Sequence, residues 1–316
     1  MDIRKPENLN EVKQLFSRRR PSLEPDVFTQ ERFEEFRKRT ISSSESDIMQ
    51  KMVPVLEGEG LIPNKREGMF CNLLSMTNKL TPTPIPDFWD GVRPESVMWQ
   101  VKEALGSRII PTKNREVPIV PNFYLEVKRP MAQGTVAAKQ VLHDGAYGTR
   151  AMHYLHNYGL SEPIYDNKAY TFSATFQDDT FKLYAHHVTP PSPDSPDGLP
   201  QYWMTYIKTY TITDYEGFIE GALAFRNLRD KALHDREEAI AAANARSQDA
   251  SVAGRALMMD AIEAADAAAR TGARAKAISP AATERITKYV KEIAVKKSSL
   301  VIVATLEHPS ASGCQW

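Results

Sequence analysis

The chain has 316 residues with 42% hydrophobic content, enough for one large domain or for a core with a sizeable appendage. Forty basic and forty acidic residues cancel, which excludes a strong overall positive field, so any hold on phosphates must come from local clusters: Arg18, Arg19 and Arg20, Lys113 with Arg115, or Lys128 with Arg129. Two distant cysteines, Cys71 and Cys314, exclude a disulfide framework and a CxxC zinc pair, and no apolar run approaches the roughly 20 residues of a membrane span; a soluble intracellular protein, nuclear or cytoplasmic and without a membrane partner, is expected.

Residues 1–40 are charged, with Phe28, Phe33 and Phe36 at intervals, and read as a peripheral arm with short helices; the arginine triplet reads as solvated surface. Ser42, Ser43 and Ser44 offer N-caps to a helix whose apolar positions Ile48, Met49, Met52, Val53 and Leu56 recur at helical spacing, ended by Gly58 and Gly60. A helical turn or two is predicted over residues 70–80, followed by an extended path through the prolines of residues 81–86. Pro94 and Glu95 open a helix predicted to run through Leu105 and stop at Gly106. Strands are predicted over 108–111 and 119–128, the second closed by Pro130.

Residues 135–158 carry the clearest helical pattern of the first half. Two strands, 169–176 and 181–188, follow as a hairpin turning on Gln177, Asp178, Asp179 and Thr180. After a proline-rich loop over 190–200, residues 202–212 alternate as a strand. Asp214 is placed to cap a long helix that enters an alanine-rich stretch, so residues 236–277 are predicted helical, with an interruption near Ser251 and Gly254. A helix over 280–296 and a strand over 299–306 complete the chain. The expected division is an arm over 1–40, a core over 41–235 and a helical extension over 236–316 with a final strand.

Along Asn122, Phe123, Tyr124, Leu125, Glu126, Val127 and Lys128, the odd-numbered apolar residues face one way and Tyr124, Glu126 and Lys128 the other. Two strand positions advance by about 6.6 Å, so the carboxylate and the ammonium can reach one small ligand. A charged pair in a central strand is costly to bury without a partner or a metal; an edge strand with a polar solvent face is the plainer alternative. His153 with His156, and His186 with His187, suggest a zinc site, but neighbouring strand histidines point to opposite faces and no cysteine cluster joins them, so surface or hydrogen-bonded core histidines are expected. His143 with Asp144 is the better placed pair. No GxSxG, GxxxxGK[ST] or GxGxxG is present.

The ordered set of Pro86-Asp87, Glu126-Val127-Lys128 and a downstream helix bearing Gln140 resembles the PD-(D/E)XK, or restriction-endonuclease-like, superfamily, whose core is an αβββαβ arrangement. The likeness covers residues 45 to 215. It is nearest to a group of nuclease-like proteins from filamentous fungi, through Pro86-Asp87-Phe88-Trp89-Asp90-Gly91, the 121–128 segment, Asp144-Gly145-Ala146-Tyr147-Gly148 after Gln140, and Tyr165-Asp166-Asn167. The resemblance implies an α/β core with a mixed central sheet flanked by helices, followed by the alanine-rich helical extension.

It further implies that Asp87 and Glu126 supply oxygens to Mg2+ or Mn2+, with the Val127 carbonyl as a third ligand and Asp90 as an alternative to Asp87. Lys128 would position the attacking water and Gln140 would steady it. Glu45, Glu57 and Glu59 are alternatives for an acidic residue from the first helix. Recombination-type members of the superfamily place a tyrosine where this chain has Asp144, with Tyr147 the nearest substitute. The expected activity is divalent-metal-dependent hydrolysis of phosphodiesters in nucleic acid, DNA in the first place. The alternative is a nuclease-derived fold that binds or regulates without cleaving. A second copy of the chain, or a protein partner, could dock through the C-terminal helices.

Overall fold

A computed structural model describes residues 4–270 except 41–43, 59, 130–133 and 194–197, with side chains to residue 252. The chain divides after Asn244 into two units; the sheet and all that packs on it below belong to the first. Among the described residues no helix is long and apolar enough to cross a membrane. The helix and strand predicted over 280–296 and 299–306 lie outside the described residues.

The first unit is α/β. Its helices are α1 (Leu9–Gln14), α2 (Gln30–Thr40), α3 (Glu45–Lys51), α4 (Val53–Glu57), α5 (Trp99–Ile109), α6 (Gly134–His156) and the start of α7 (Tyr215–Arg270). Six strands, β1 (Asn64–Arg66), β2 (Phe88–Val92), β3 (Ile119–Val127), β4 (Thr171–Gln177), β5 (Thr180–Thr189) and β6 (Gln201–Thr211), form one mixed sheet in sequential order. All neighbours are antiparallel except β3 and β4, which run parallel because α6 carries the chain back across the sheet between them.

Strand alternation divides the sheet faces. Phe88, Phe123, Leu125, Val127, Phe172, Ala174, Phe181 and Leu183 join one large core with α7 residues such as Phe218, Phe225 and Leu228. The aromatic residues of the N-terminal segment, expected to be peripheral, are buried in this core. Phe33 and Phe36 lie three apart on α2, and both rings meet Phe218, which Phe28 stacks against at 5.0 Å. Arg20 is likewise drawn in from the surface, donating to Asn227 Oδ1 at 2.8 Å and pairing with Asp230.

On the other face, α6 lies against β3, β4 and β5 unusually closely. Gly145 and Gly148 make this possible: a Cβ at 145 would drive into the His186 ring, and one at 148 would stand 2.8 Å from the Tyr124 hydroxyl and 2.9 Å from the Pro121 carbonyl. Two neutral glycines in a helix interior cost about 1 kcal/mol each in propensity. Here they set the depth at which α6 docks.

Several predicted elements differ from those observed. Gly106 does not stop its helix; α5 continues to Ile109, where Val101, Leu105 and Ile109 bury one stripe, so residues 108–109 are helical and no strand forms over 108–111. Residues 70–80 form turns rather than helix, with Phe70 packed edge-on against Trp89. The hairpin turn does form, with Asp178 and Asp179 both at positive φ. Asp214 caps α7, accepting the Gly217 N–H at 2.8 Å, and α7 passes Ser251 and Gly254 without a break.

Candidate functional site

Four elements converge at the end of β3. Ser44 caps α3 in a capping box with Asp47, accepting its N–H at 3.1 Å, which places Glu45 in the first helical turn. Asp87 sits just before β2, and its carboxylate accepts the Val127 N–H at 2.8 Å, while the Asp87 N–H donates to Glu126 Oε1 at 3.1 Å. This reciprocal pair staples the start of β2 to the end of β3. Glu126 and Lys128 then follow from strand alternation, and α6 brings Asp144 beside Glu126 on the same face.

The Lys128 ammonium is the shared centre. It lies 3.2 Å from Glu45 Oε1, 3.4 Å from Asp87 Oδ2 and 3.3 Å from Glu126 Oε2, and donates to the Val127 carbonyl at 2.9 Å. Side-chain exposure falls from 41% at Glu45 through 19% at Asp87 to zero at Glu126. The cluster is therefore accessible to solvent at Glu45 and Asp87 and closed to it at Glu126.

Burial is the first cause of every shift here. It pushes the Glu126 carboxyl up to about 9, helped by the charges of Asp87 and Asp144 and opposed by Lys128. It pushes Asp144 up to about 8, with the hydrogen bond from Glu126 working the other way. Asp87 is raised as well, against the pull of the Val127 N–H and Lys128. For Lys128 burial works against the charge, but Asp87, Glu126 and Glu45 together outweigh it and hold the ammonium protonated. Three carboxylates thus share one cation with a fourth, Asp144, beside Glu126, and at neutral pH protons take up part of the deficit.

The other expected residues fall into place around this centre or away from it. Asp90, the alternative to Asp87, is not in the cluster: it is fully buried on the opposite face, gripped by Arg229 through two bonds of 2.7 Å. Strand alternation puts positions 87 and 90 on different sides, and the Arg229 fork neutralises Asp90 where it stands. Glu57 belongs to the same network, paired with Arg229 and Arg66; Glu59 lies outside the described residues. Gln140 is one turn before Asp144 and its Oε1 is buried with no hydrogen-bond partner. The Tyr147 hydroxyl accepts the Met76 N–H, and its ring meets His143 edge-on.

Among the described residues no histidine stands with this cluster. His186 bonds Ser173 Oγ at 2.7 Å and is held neutral by burial, its pKa down to about 3. His153 bonds Asn157 and stacks on Tyr165, and His143 bonds Thr81 Oγ1 at 2.9 Å.

The donor set suits a hard divalent cation. It is all oxygen, it carries more negative charge than Lys128 can balance, and it includes Asp144 Oδ2, which is buried with no hydrogen-bond partner. Among the described residues no three His, Cys, Asp or Glu side chains already surround a common point as ligands; the ammonium is what the carboxylates share. The sequence offered Glu45 only as one of three alternatives with Glu57 and Glu59, and Asp144 only beside His143 and in the tyrosine position, with no role assigned to it.

A family model described as "Domain of unknown function (DUF7924)" matches residues 32–243, a span that holds all five cluster residues. No curated protein and no solved structure matches the chain.

Proposed function

The chain belongs to the DUF7924 family, and from its carboxylate and lysine cluster we propose a divalent-metal-dependent phosphodiesterase acting on nucleic acid, with DNA as the expected substrate and a PD-(D/E)XK-type core. The observation that carries this is the meeting of Glu45, Asp87 and Glu126, from three separate elements, on one ammonium at 3.2–3.4 Å. The order of elements supports it. From α3 and α4 through β1, β2, β3, α6 and β4 the chain reads αβββαβ, with α5 inserted between β2 and β3.

Asp87 and Glu126 would hold Mg2+ or Mn2+, with the Val127 carbonyl beside them. Such an ion, when bound, lowers the pKa of a coordinated water and neutralises charge on a phosphoryl oxygen. Hydrolysis joins the water oxygen to phosphorus and releases the ester oxygen, which takes up a proton. Lys128 would orient the water and donate to a non-bridging phosphoryl oxygen as negative charge builds there. Glu126 is fully buried, away from bulk water, while Glu45 and Asp87 form the side a phosphate would approach. The N–H groups of Asp87 and Val127 fix the two carboxylates, so little reorganisation is needed when substrate arrives.

Cleavage of labelled DNA with Mg2+ by the wild type, Glu126→Gln and Lys128→Ala tests this. The wild type is expected to cleave and both variants to lose at least a hundredfold. Equal hydrolysis by a folded variant would remove the assignment, and cation binding without any cleavage would favour a binding or regulatory module on the same fold.

A further inference from the structure

Asp144 holds a position that the roles above leave unused. It is 3% exposed, it lies beside Glu126, and its Oδ2 is buried with no hydrogen-bond partner. A buried carboxylate oxygen without a donor is costly, and native proteins leave few of them. The fold reaches this arrangement at further expense. The close seat of α6 depends on Gly145, directly after Asp144, and on Gly148, on the same helix face, neither of which tolerates a Cβ. A seat one side-chain layer higher would have left Asp144 in solvent.

The cluster supplies no donor for Oδ2. Its one ammonium is already shared by Glu45, Asp87, Glu126 and the Val127 carbonyl. Gln140, the α6 residue expected to act on the site, also has its carbonyl oxygen buried with no hydrogen-bond partner.

We infer that Asp144 is a ligand of the cation that Asp87 and Glu126 would hold, binding through Oδ2. Helix α6 then contributes a carboxylate to the site. Asp144 can be a ligand only if the cluster is the cation site proposed above, and the two ideas separate by experiment.

The full chain, freed of metal, is titrated with Mn2+ and free Mn2+ is followed by electron paramagnetic resonance. Water-proton relaxation then reports the exchangeable waters on the bound ion. The wild type is expected to bind and Glu126→Gln to lose binding. Asp144→Asn and Asp144→Ser should bind at least tenfold more weakly, and at saturation their Mn2+ should carry roughly one more exchangeable water than in the wild type, because a lost protein ligand is replaced by solvent. Gln140→Ala should stay within twofold of wild type.

If Glu126→Gln loses binding while both Asp144 variants keep wild-type hydration of the ion, Asp144 is not a ligand and the cation site stands. If the wild type binds no Mn2+, or Glu126→Gln binds as well as wild type, the cation site itself fails and Asp144 with it.

Discussion

At the scale of single residues, the arithmetic of charge decides what each substitution should do. Lys128 is the only cation among Glu45, Asp87, Glu126 and Asp144. Replacing it with methionine leaves the carboxylates to repel one another, so Lys128→Met is expected to lower the stability of the metal-free protein at pH 8 by on the order of 1–3 kcal/mol. Glu126→Gln supplies the neutral side chain that burial imposes on Glu126, without the proton that the folded wild type must hold at pH 8, and should raise stability under the same conditions; thermal unfolding of the two variants should therefore shift in opposite directions. Glu126 and Lys128 were legible because a strand repeats every two residues, and the pair occupies positions i and i+2 between apolar neighbours. Asp87 was readable only through its place after Pro86. Glu45 and Asp90 were not resolvable in this way, because each is defined by a distant partner: Lys128 is 83 residues from Glu45, and Arg229 is 139 residues from Asp90. Local pattern carries no information about which acid finds which base.

At the scale of elements, the site depends on how closely α6 approaches the sheet. Gly145→Ala is expected to push α6 off His186 and to cost about 1–3 kcal/mol, as overpacking does. The same shift would lift Asp144 from Glu126. A chemical-denaturation midpoint that falls with unchanged slope, together with weaker Mn2+ binding, is the expected pair of results; an alanine that changes neither would mean the helix seat is not fixed by that glycine. The long helices α6 and α7 were legible from periodicity and alanine content, since many residues vote for each. Strands β1 and β2 were not, being three and five residues long, with β2 broken by Asp90-Gly91 and preceded by prolines. The segment at 108–111 misled for the opposite reason: Ile109 and Ile110 favour strands locally, but Ile109 is the last buried position of the α5 stripe. Asn122, inside the motif segment, does structural duty. Its side-chain amide donates to the Tyr170 and Ala232 carbonyls, and its oxygen accepts from Arg236, tying β3 to α7.

At the scale of the first unit as a whole, two buried arginines of α7 hold the helix to the sheet, Arg229 on Asp90 and Arg236 on Asn122. Arg229→Met strands Asp90 in the core without a counter-charge, and a loss of about 3–5 kcal/mol is expected; Asp90→Asn in the same chain should recover part of it, whereas no recovery would place the cost in lost packing. Stability should also depend on pH in a definite direction. Glu126 and Asp144 have folded pKa values near 9 and 8, far above the ordinary carboxylate range. The folded state therefore keeps protons that the unfolded chain releases, and metal-free stability falls as pH rises from about 4.5 towards 9. Glu126→Gln should flatten that slope in melting curves taken across the range. The α/β class was legible from the sequence because predicted strands and helices alternate along the chain, while the mixed sheet between helices entered only through the superfamily resemblance. The nuclease reading rests on a different link, the affinity of the cluster for a divalent cation. Calorimetric titration of Mg2+ into the metal-free chain addresses it most directly: saturable binding by the wild type, abolished in Glu126→Gln, is expected, and no binding by the wild type, or undiminished binding by the variant, would contradict it.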